Sequence, residues 1–94
     1  MIKKKYTDRL KKHLLSILKP GAKFFLFGSC LTGDNFADVD VGLSGEGFDD
    51  KKISLLKEEL ENSTFPYKVD LVNFNEVDES FSTEVFSKKI KWLT

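Results

Sequence analysis

Residues 22–43 read AKFFLFGSCLTGDNFADVDVGL, and this stretch decides the fold. Residues 22–27 form a short aromatic run without alternation, as expected of a strand covered on both faces. Gly28 stops it. Residues 38–43, Asp-Val-Asp-Val-Gly-Leu, alternate polar and apolar, which predicts a half-buried strand. Between them, residues 29–37 read as a loop or a short helical turn holding Gly33 and the turn pair Asp34-Asn35.

Working outward, Leu10, Leu14, Ile17 and Leu18 recur at helical spacing with Lys on the other side, which predicts a helix over residues 7–19. Thr7 or Asp8 can cap its start, and Pro20-Gly21 ends it. A second helix is expected over residues 49–61, with Ile53, Leu56 and Leu60 on one face and Asp49 or Asp50 as cap. Residues 67–74 read as a third strand. A final helix is expected over residues 81–93, because Phe86, Ile90 and Leu93 fall at helical spacing. The order helix, strand, strand, helix, strand, helix predicts an α/β (α+β) domain, a small mixed sheet packed with helices in two layers.

Composition sets the bounds. Ninety-four residues are read as one domain, residues 1–94. An apolar fraction of 40% with nine Phe is enough to close a small core, and the balanced 15 basic and 15 acidic residues argue against a disordered tail. Zero net charge argues against whole-molecule attraction to nucleic acid or to an anionic membrane. One cysteine cannot form an internal disulfide, so a cytoplasmic location is expected. The zero is a sum, however. Residues 1–23 carry +7, residues 24–87 carry −10 and residues 88–94 carry +3.

Three of the central acids fall on strands. Side chains alternate across a strand, so Asp38 and Asp40 share one face while Val39 and Val41 take the other. Asp70 lies between Val69 and Leu71 and takes the face opposite to them. If the second and third strands are neighbours in register, the three carboxylates converge. Such a cluster repels itself and wants a cation, and hard carboxylate oxygens suit Mg²⁺, which commonly bridges to substrate phosphates. The alternative is that all three are ordinary solvent-face residues of an amphipathic sheet.

The segment Gly28-Ser29…Gly33 supplies the other half of a site. Glycine permits close backbone approach to a ligand, helix-start amides favour phosphate, and Ser29 adds a hydroxyl. The segment is not a P-loop, since no Gly-Lys-Ser/Thr follows, and it lacks the third glycine of a dinucleotide fingerprint. Gly-Ser also marks ordinary turns. What raises it is its position directly ahead of Asp38 and Asp40.

Gly-Ser, then Asp-x-Asp on the next strand, then a lone Asp on a later strand resembles the nucleotidyltransferase superfamily related to DNA polymerase β. The size and residues 26–43 resemble its smallest branch, the minimal nucleotidyltransferases, and residues 66–72, Pro-Tyr-Lys-Val-Asp-Leu-Val, resemble that branch's third-carboxylate strand. The likeness covers about residues 10–74. It implies the nucleotidyltransferase fold and a set of roles. Gly28, Ser29 and Gly33 would bind the nucleoside triphosphate, ATP. Asp38, Asp40 and Asp70 would be the catalytic carboxylates and would hold two Mg²⁺ ions, with Asp70 helping to deprotonate the attacking hydroxyl. The reaction would be in-line transfer of AMP (NMP) with pyrophosphate leaving.

The resemblance also implies a partner, a helical protein of the HEPN class that is the toxin of a toxin–antitoxin pair. This chain would be the antitoxin and would adenylylate a protein hydroxyl. No acceptor-binding domain fits in 94 residues, so an acceptor on another protein is expected. A competing reading is a catalytically impaired binding module that neutralises its partner by contact. Eight residues, 30–37, separate Ser29 from Asp38, fewer than is usual in this branch; Cys30 and Ala37 replace the usual Arg and Ser. These departures favour the competing reading. A third is a subunit of a larger transferase acting on nucleic acid or a small molecule.

Other residues carry plainer expectations. Cys30, placed at a helix start, would have a lowered pKa and be reactive, or else is simply a small loop residue. His13 sits among lysines on the first helix, away from Leu10, Leu14 and Leu18. Phe86 and Trp92 read as core or edge packing. Lys3, Lys4 and Lys5 read as a solvated tail, since only Tyr6 is available for base stacking.

Overall fold

Strand β1 (Ala22–Phe27) is an inner strand of a four-stranded sheet, and its neighbours decide everything else. The computed structural model describes residues 1–33 and 35–94; Asp34, half of the expected turn pair, lies outside the described residues. Ahead of β1 comes α1 (Lys4–Ile17). A single 3-10 turn (Ser29–Leu31), β2 (Asp38–Gly45), α2 (Asp50–Glu61), β3 (Lys68–Asn73), α3 (Glu79–Phe86) and β4 (Lys91–Trp92) follow it. The sheet order is β3-β2-β1-β4, with β2 and β4 antiparallel to β1 and β3 parallel to β2. It is the mixed sheet with helices that the element order predicts.

Strand alternation gives the sheet two unlike faces. One face carries Phe24, Leu26, Val39, Val41, Leu43 and Val69, all buried, with Leu10, Leu14, Leu18, Leu56 and Leu60 of the α1–α2 layer in the same core cluster. Each fully buried Leu or Phe contributes roughly 1.5–3 kcal/mol relative to exposure, so this face holds most of the stability. The other face carries Phe25, Phe27, Asp38, Asp40, Gly42 and Asp70. Here Phe25 is fully buried and its ring lies 4.9 Å from Phe74, 5.1 Å from Phe86 and 4.9 Å from Trp92. Phe81 of α3 joins through Phe74 at 5.7 Å. The sheet therefore has a small third layer, α3, in addition to the two expected. Gly42 is required beneath it: a Cβ there would fall on the Phe25 ring.

Helix boundaries differ from expectation at both ends of the chain. α1 starts at Lys4, not Thr7, with Lys3 as a cap that makes no side-chain bond. Thr7 is inside the helix and 3% exposed, its hydroxyl donating to the Lys4 carbonyl at 2.9 Å. Lys4 and Lys5 are thus helical rather than a tail. α2 behaves as read, with the Asp49 carboxylate accepting from the Lys52 amide at 2.9 Å.

The last helix is the larger correction. It ends at Phe86, and residues 91–92 pair with β1 instead. The open edge of β1 offers unpaired backbone groups: the Leu93 amide donates to the Phe24 carbonyl at 3.0 Å, and the Phe24 amide to the Thr94 hydroxyl at 3.4 Å. Trp92 then faces Phe25 while Leu93 enters the core on the opposite side. Among the described residues no helix is long and apolar enough to cross a membrane.

Candidate active site

The chain turns sharply as it leaves β1. Gly28 has φ +84°, a backbone conformation that side-chain-bearing residues rarely adopt. Its Cα is also covered: a Cβ at Gly28 would collide with Oδ2 of Asp40. One position thus requires glycine twice, for its dihedral and for the carboxylate lying on it. The two halves of the motif seen in sequence are in contact.

After Gly28 the turn closes on itself. The amides of Leu31, Thr32 and Gly33 donate to the carbonyls of Gly28 and Ser29 at 3.1, 3.2 and 2.9 Å. Those three amides are therefore spent within the loop. Gly33 does not take a positive φ, and a Cβ there would make only an ordinary contact, with the Ser29 carbonyl oxygen at 3.5 Å. Its carbonyl accepts from the Met1 amino group at 2.6 Å. Gly33 closes the loop at its far end, while Gly28 lies at the carboxylates' end.

The loop is pinned from a direction the sequence reading missed. The Ile2 amide donates to the Cys30 carbonyl at 2.8 Å, and the Ile2 side chain is buried. Nothing local to residues 28–33 signals this; the only trace in the sequence is one apolar residue ahead of the lysines.

The strand register sets the carboxylates. Asp40 pairs across with Phe27 on β1 and with Asp70 on β3, and Asp38 pairs with Lys68. Partners in adjacent strands point to the same face, so Asp38, Asp40 and Asp70 occupy one patch at the end of the sheet. Asp38 is exposed; Asp40 and Asp70 are half-buried. The Asp40 pKa is raised, first by burial, then by the Asp70 charge and then by the Asp38 charge. The charges of Asp70 and Asp38 therefore reach Asp40. As the side chains stand, no three acidic, His or Cys groups among the described residues converge tightly enough to close on a metal ion. The donor chemistry nevertheless fits a hard divalent cation: three carboxylates on one patch, one of which, Asp40, is shifted towards protonation first by burial and then by its neighbours' charges.

Cys30 does not behave as a helix-start thiol. It is fully buried in the core cluster, and its pKa is raised, chiefly by burial. A three-residue 3-10 turn is too short to offset that loss of hydration. His13 sits in the helical layer with Nδ1 3.6 Å from Glu59, on the sheet face away from the carboxylates.

Comparison with known proteins bears on the fold. The family described as Polymerase beta, Nucleotidyltransferase matches residues 11–92. None of the curated proteins matches the sequence. Among solved structures, a toxin–antitoxin complex with AMP-PNP is similar at TM-score 0.74 and 23% identity, over 94% of this chain and 72% of that one. A complex of tri-AMPylated Shewanella oneidensis HEPN toxin with MNT antitoxin is similar at TM-score 0.64 and 20% identity, over 94% and 71% of the two chains. A mutant MntA–HpeT toxin–antitoxin structure is similar at TM-score 0.74 and 20% identity, with the same coverage. At these identities the likeness is one of fold.

Proposed function

The chain belongs to the polymerase beta nucleotidyltransferase family, and from that premise we propose that it moves AMP from ATP to a hydroxyl of a HEPN-type toxin, as the antitoxin of the pair. The observation that carries this reading is the contact between Gly28 and Asp40, with Asp70 in register beside Asp40. It joins a loop able to take phosphates to a carboxylate patch able to take a cation. The fold shared with toxin–antitoxin complexes, one holding AMP-PNP and one an AMPylated toxin, supports the choice of nucleotide and partner.

In this reading the Gly28 backbone and the Ser29 hydroxyl hold the β- and γ-phosphates. Asp38, Asp40 and Asp70 would hold two Mg²⁺ ions, which would supply charge neutralisation for the attacking and leaving oxygens. The acceptor oxygen bonds to the α-phosphorus, the bond from that phosphorus to the α–β bridging oxygen breaks, and pyrophosphate leaves. The acceptor proton passes to the Asp70 carboxylate. The protein orients and neutralises; it forms no covalent intermediate.

A second reading has one observation in its favour. The Cys30 side chain is turned into the core, so that loop position offers no charge to a phosphate. Such a loop suits a domain that neutralises its partner by binding alone. Labelled ATP, Mg²⁺ and the purified HEPN partner separate the two. Label on the partner, lost with Asp40→Asn, is expected. No label, with Asp38→Ala neutralising the toxin as well as wild type does, would establish the contact-only reading instead.

A further inference from the structure

The basic end of the chain, set apart by the charge arithmetic, returns to the candidate active site. β4 is antiparallel to β1, with Phe25 opposite Trp92 and Leu26 opposite Lys91. Continued by two residues, that register brings Lys89 level with Gly28. A cleft of about 200 Å³ opens there between the end of β1 and α3, and its walls are Phe27, Gly28, Phe81, Val85, one acid, Glu84, and two bases, Lys88 and Lys89. Phe27 is the cross-strand partner of Asp40, so the cleft and the carboxylate patch adjoin.

Charge says what this cleft lacks and what it can take. A nucleoside triphosphate is strongly anionic, and Asp38, Asp40 and Asp70 repel it. Residues 28–33, Gly-Ser-Cys-Leu-Thr-Gly, contain no cation. Beyond what divalent ions held by the aspartates would supply, direct side-chain charge on the phosphates has to come from elsewhere in the fold, and Lys88 and Lys89 are the cations that line this cleft. Lys88 lies 3.4 Å from Glu84, but both side chains are about two-thirds exposed or more. Such a surface pair is weak and exchanges readily. Lys89 has no ion-pair partner among the described residues. A lysine on a flexible stem, with three donors, binds phosphate as a point charge. The apolar floor of Phe27, Phe81 and Val85 removes water from one side of an anion seated there.

We propose that Lys88 and Lys89 are the phosphate-binding cations of this site, holding the β- and γ-phosphates of the incoming nucleoside triphosphate over Gly28. The proposal rests on the nucleotidyltransferase reading and adds the source of charge that the loop lacks. It assigns to the C-terminal basic residues a role that belongs to the first half of the motif.

The test is equilibrium binding of ATP, AMP and inorganic tripolyphosphate, each with Mg²⁺, to wild type and to the Lys88→Ala/Lys89→Ala double variant. Both lysines are exposed, so the fold is expected to survive, which the melting curve checks. ATP and tripolyphosphate should weaken at least about 10-fold while AMP changes less than about 2-fold. The Lys88→Arg/Lys89→Arg variant should restore ATP binding, and Lys51→Ala, on α2, should leave it unchanged. In the transfer assay the loss should fall on KM rather than kcat. An ATP affinity within about 2-fold of wild type would overturn the proposal and leave the nucleotidyltransferase reading standing. So would equal losses for ATP and AMP, since the lysines would then read the nucleoside. A wild-type protein that binds neither ATP nor tripolyphosphate would overturn both.

Discussion

The two faces of the sheet are built from the same strands and meet opposite demands. On the face against α1 and α2, residues 39, 41 and 43 are fully buried among leucines. On the other, the alternating residues 38, 40 and 42 are two carboxylates and a glycine beneath an aromatic ring. The first face is satisfied as it stands. The second is divided: its aromatic half is closed by α3, and in its acidic half burial first, then the Asp70 and Asp38 charges, raise the Asp40 pKa. Stability and chemistry here are separated by one residue of strand alternation, a distance of about 3.3 Å along the chain.

The largest expected effect breaks the acidic half alone. Asp40→Asn should lower AMP transfer about 10³-fold, the equivalent of several kcal/mol of transition-state charge stabilisation. Its melting temperature should not fall. If transfer survived, the acidic patch would be no site at all.

Next, Leu56→Ala attacks the helical face and should cost about 2–5 kcal/mol in urea unfolding, as buried Leu deletions do. Where the variant is folded, its kcat should stay near wild type. A comparable loss of kcat would mean that the faces are not separable.

Gly42→Ala tests the aromatic half. The new methyl group meets the fully buried Phe25 ring, held by Phe74, Phe86 and Trp92, so it should cost about 1–3 kcal/mol of stability. A neutral result would show that the ring can step aside.

A smaller effect sharpens the comparison through pH. Because the folded state raises the Asp40 pKa, it binds that proton more tightly than the unfolded chain does. The favourable contribution is fully present below the unfolded pKa and is lost as pH rises through the folded one. Without divalent cations, the melting temperature of Asp40→Asn relative to wild type should therefore climb by a few degrees from acid to neutral pH. A constant difference would mean that burial and the Asp70 and Asp38 charges do not act as described. The smallest effect concerns Cys30. Its buried thiol, with a raised pKa, should react with a disulfide reagent far more slowly at pH 8 than the denatured chain does.

Much of this was legible in the sequence, for local reasons. The two apolar or alternating strands, the Asp49 cap and the common face of Asp38 and Asp40 follow from period and side-chain chemistry within a few residues. The end of the final helix is not legible there, because Phe86, Ile90 and Leu93 fit a helical period, whereas the competing partner, the open edge of β1, lies more than sixty residues away. The start of α1 was placed late because Thr7 looks like a cap in sequence but folds inward and bonds to Lys4. Within the candidate site, Gly28, Ser29 and the three aspartates were named from sequence. Ile2, Lys88 and Lys89 reach it only through long-range pairing.

The sequence by itself determined which residue types sit on which face of each strand, because alternation is a property of the backbone. It also determined that the loop after β1 carries no cation. Only the tertiary structure decided that Asp40 lies on Gly28, that Asp70 stands in register beside Asp40, and that the basic end of the chain borders the same loop. Those are consequences of strand order, and strand order is set by which edges and apolar faces the whole chain can cover at once.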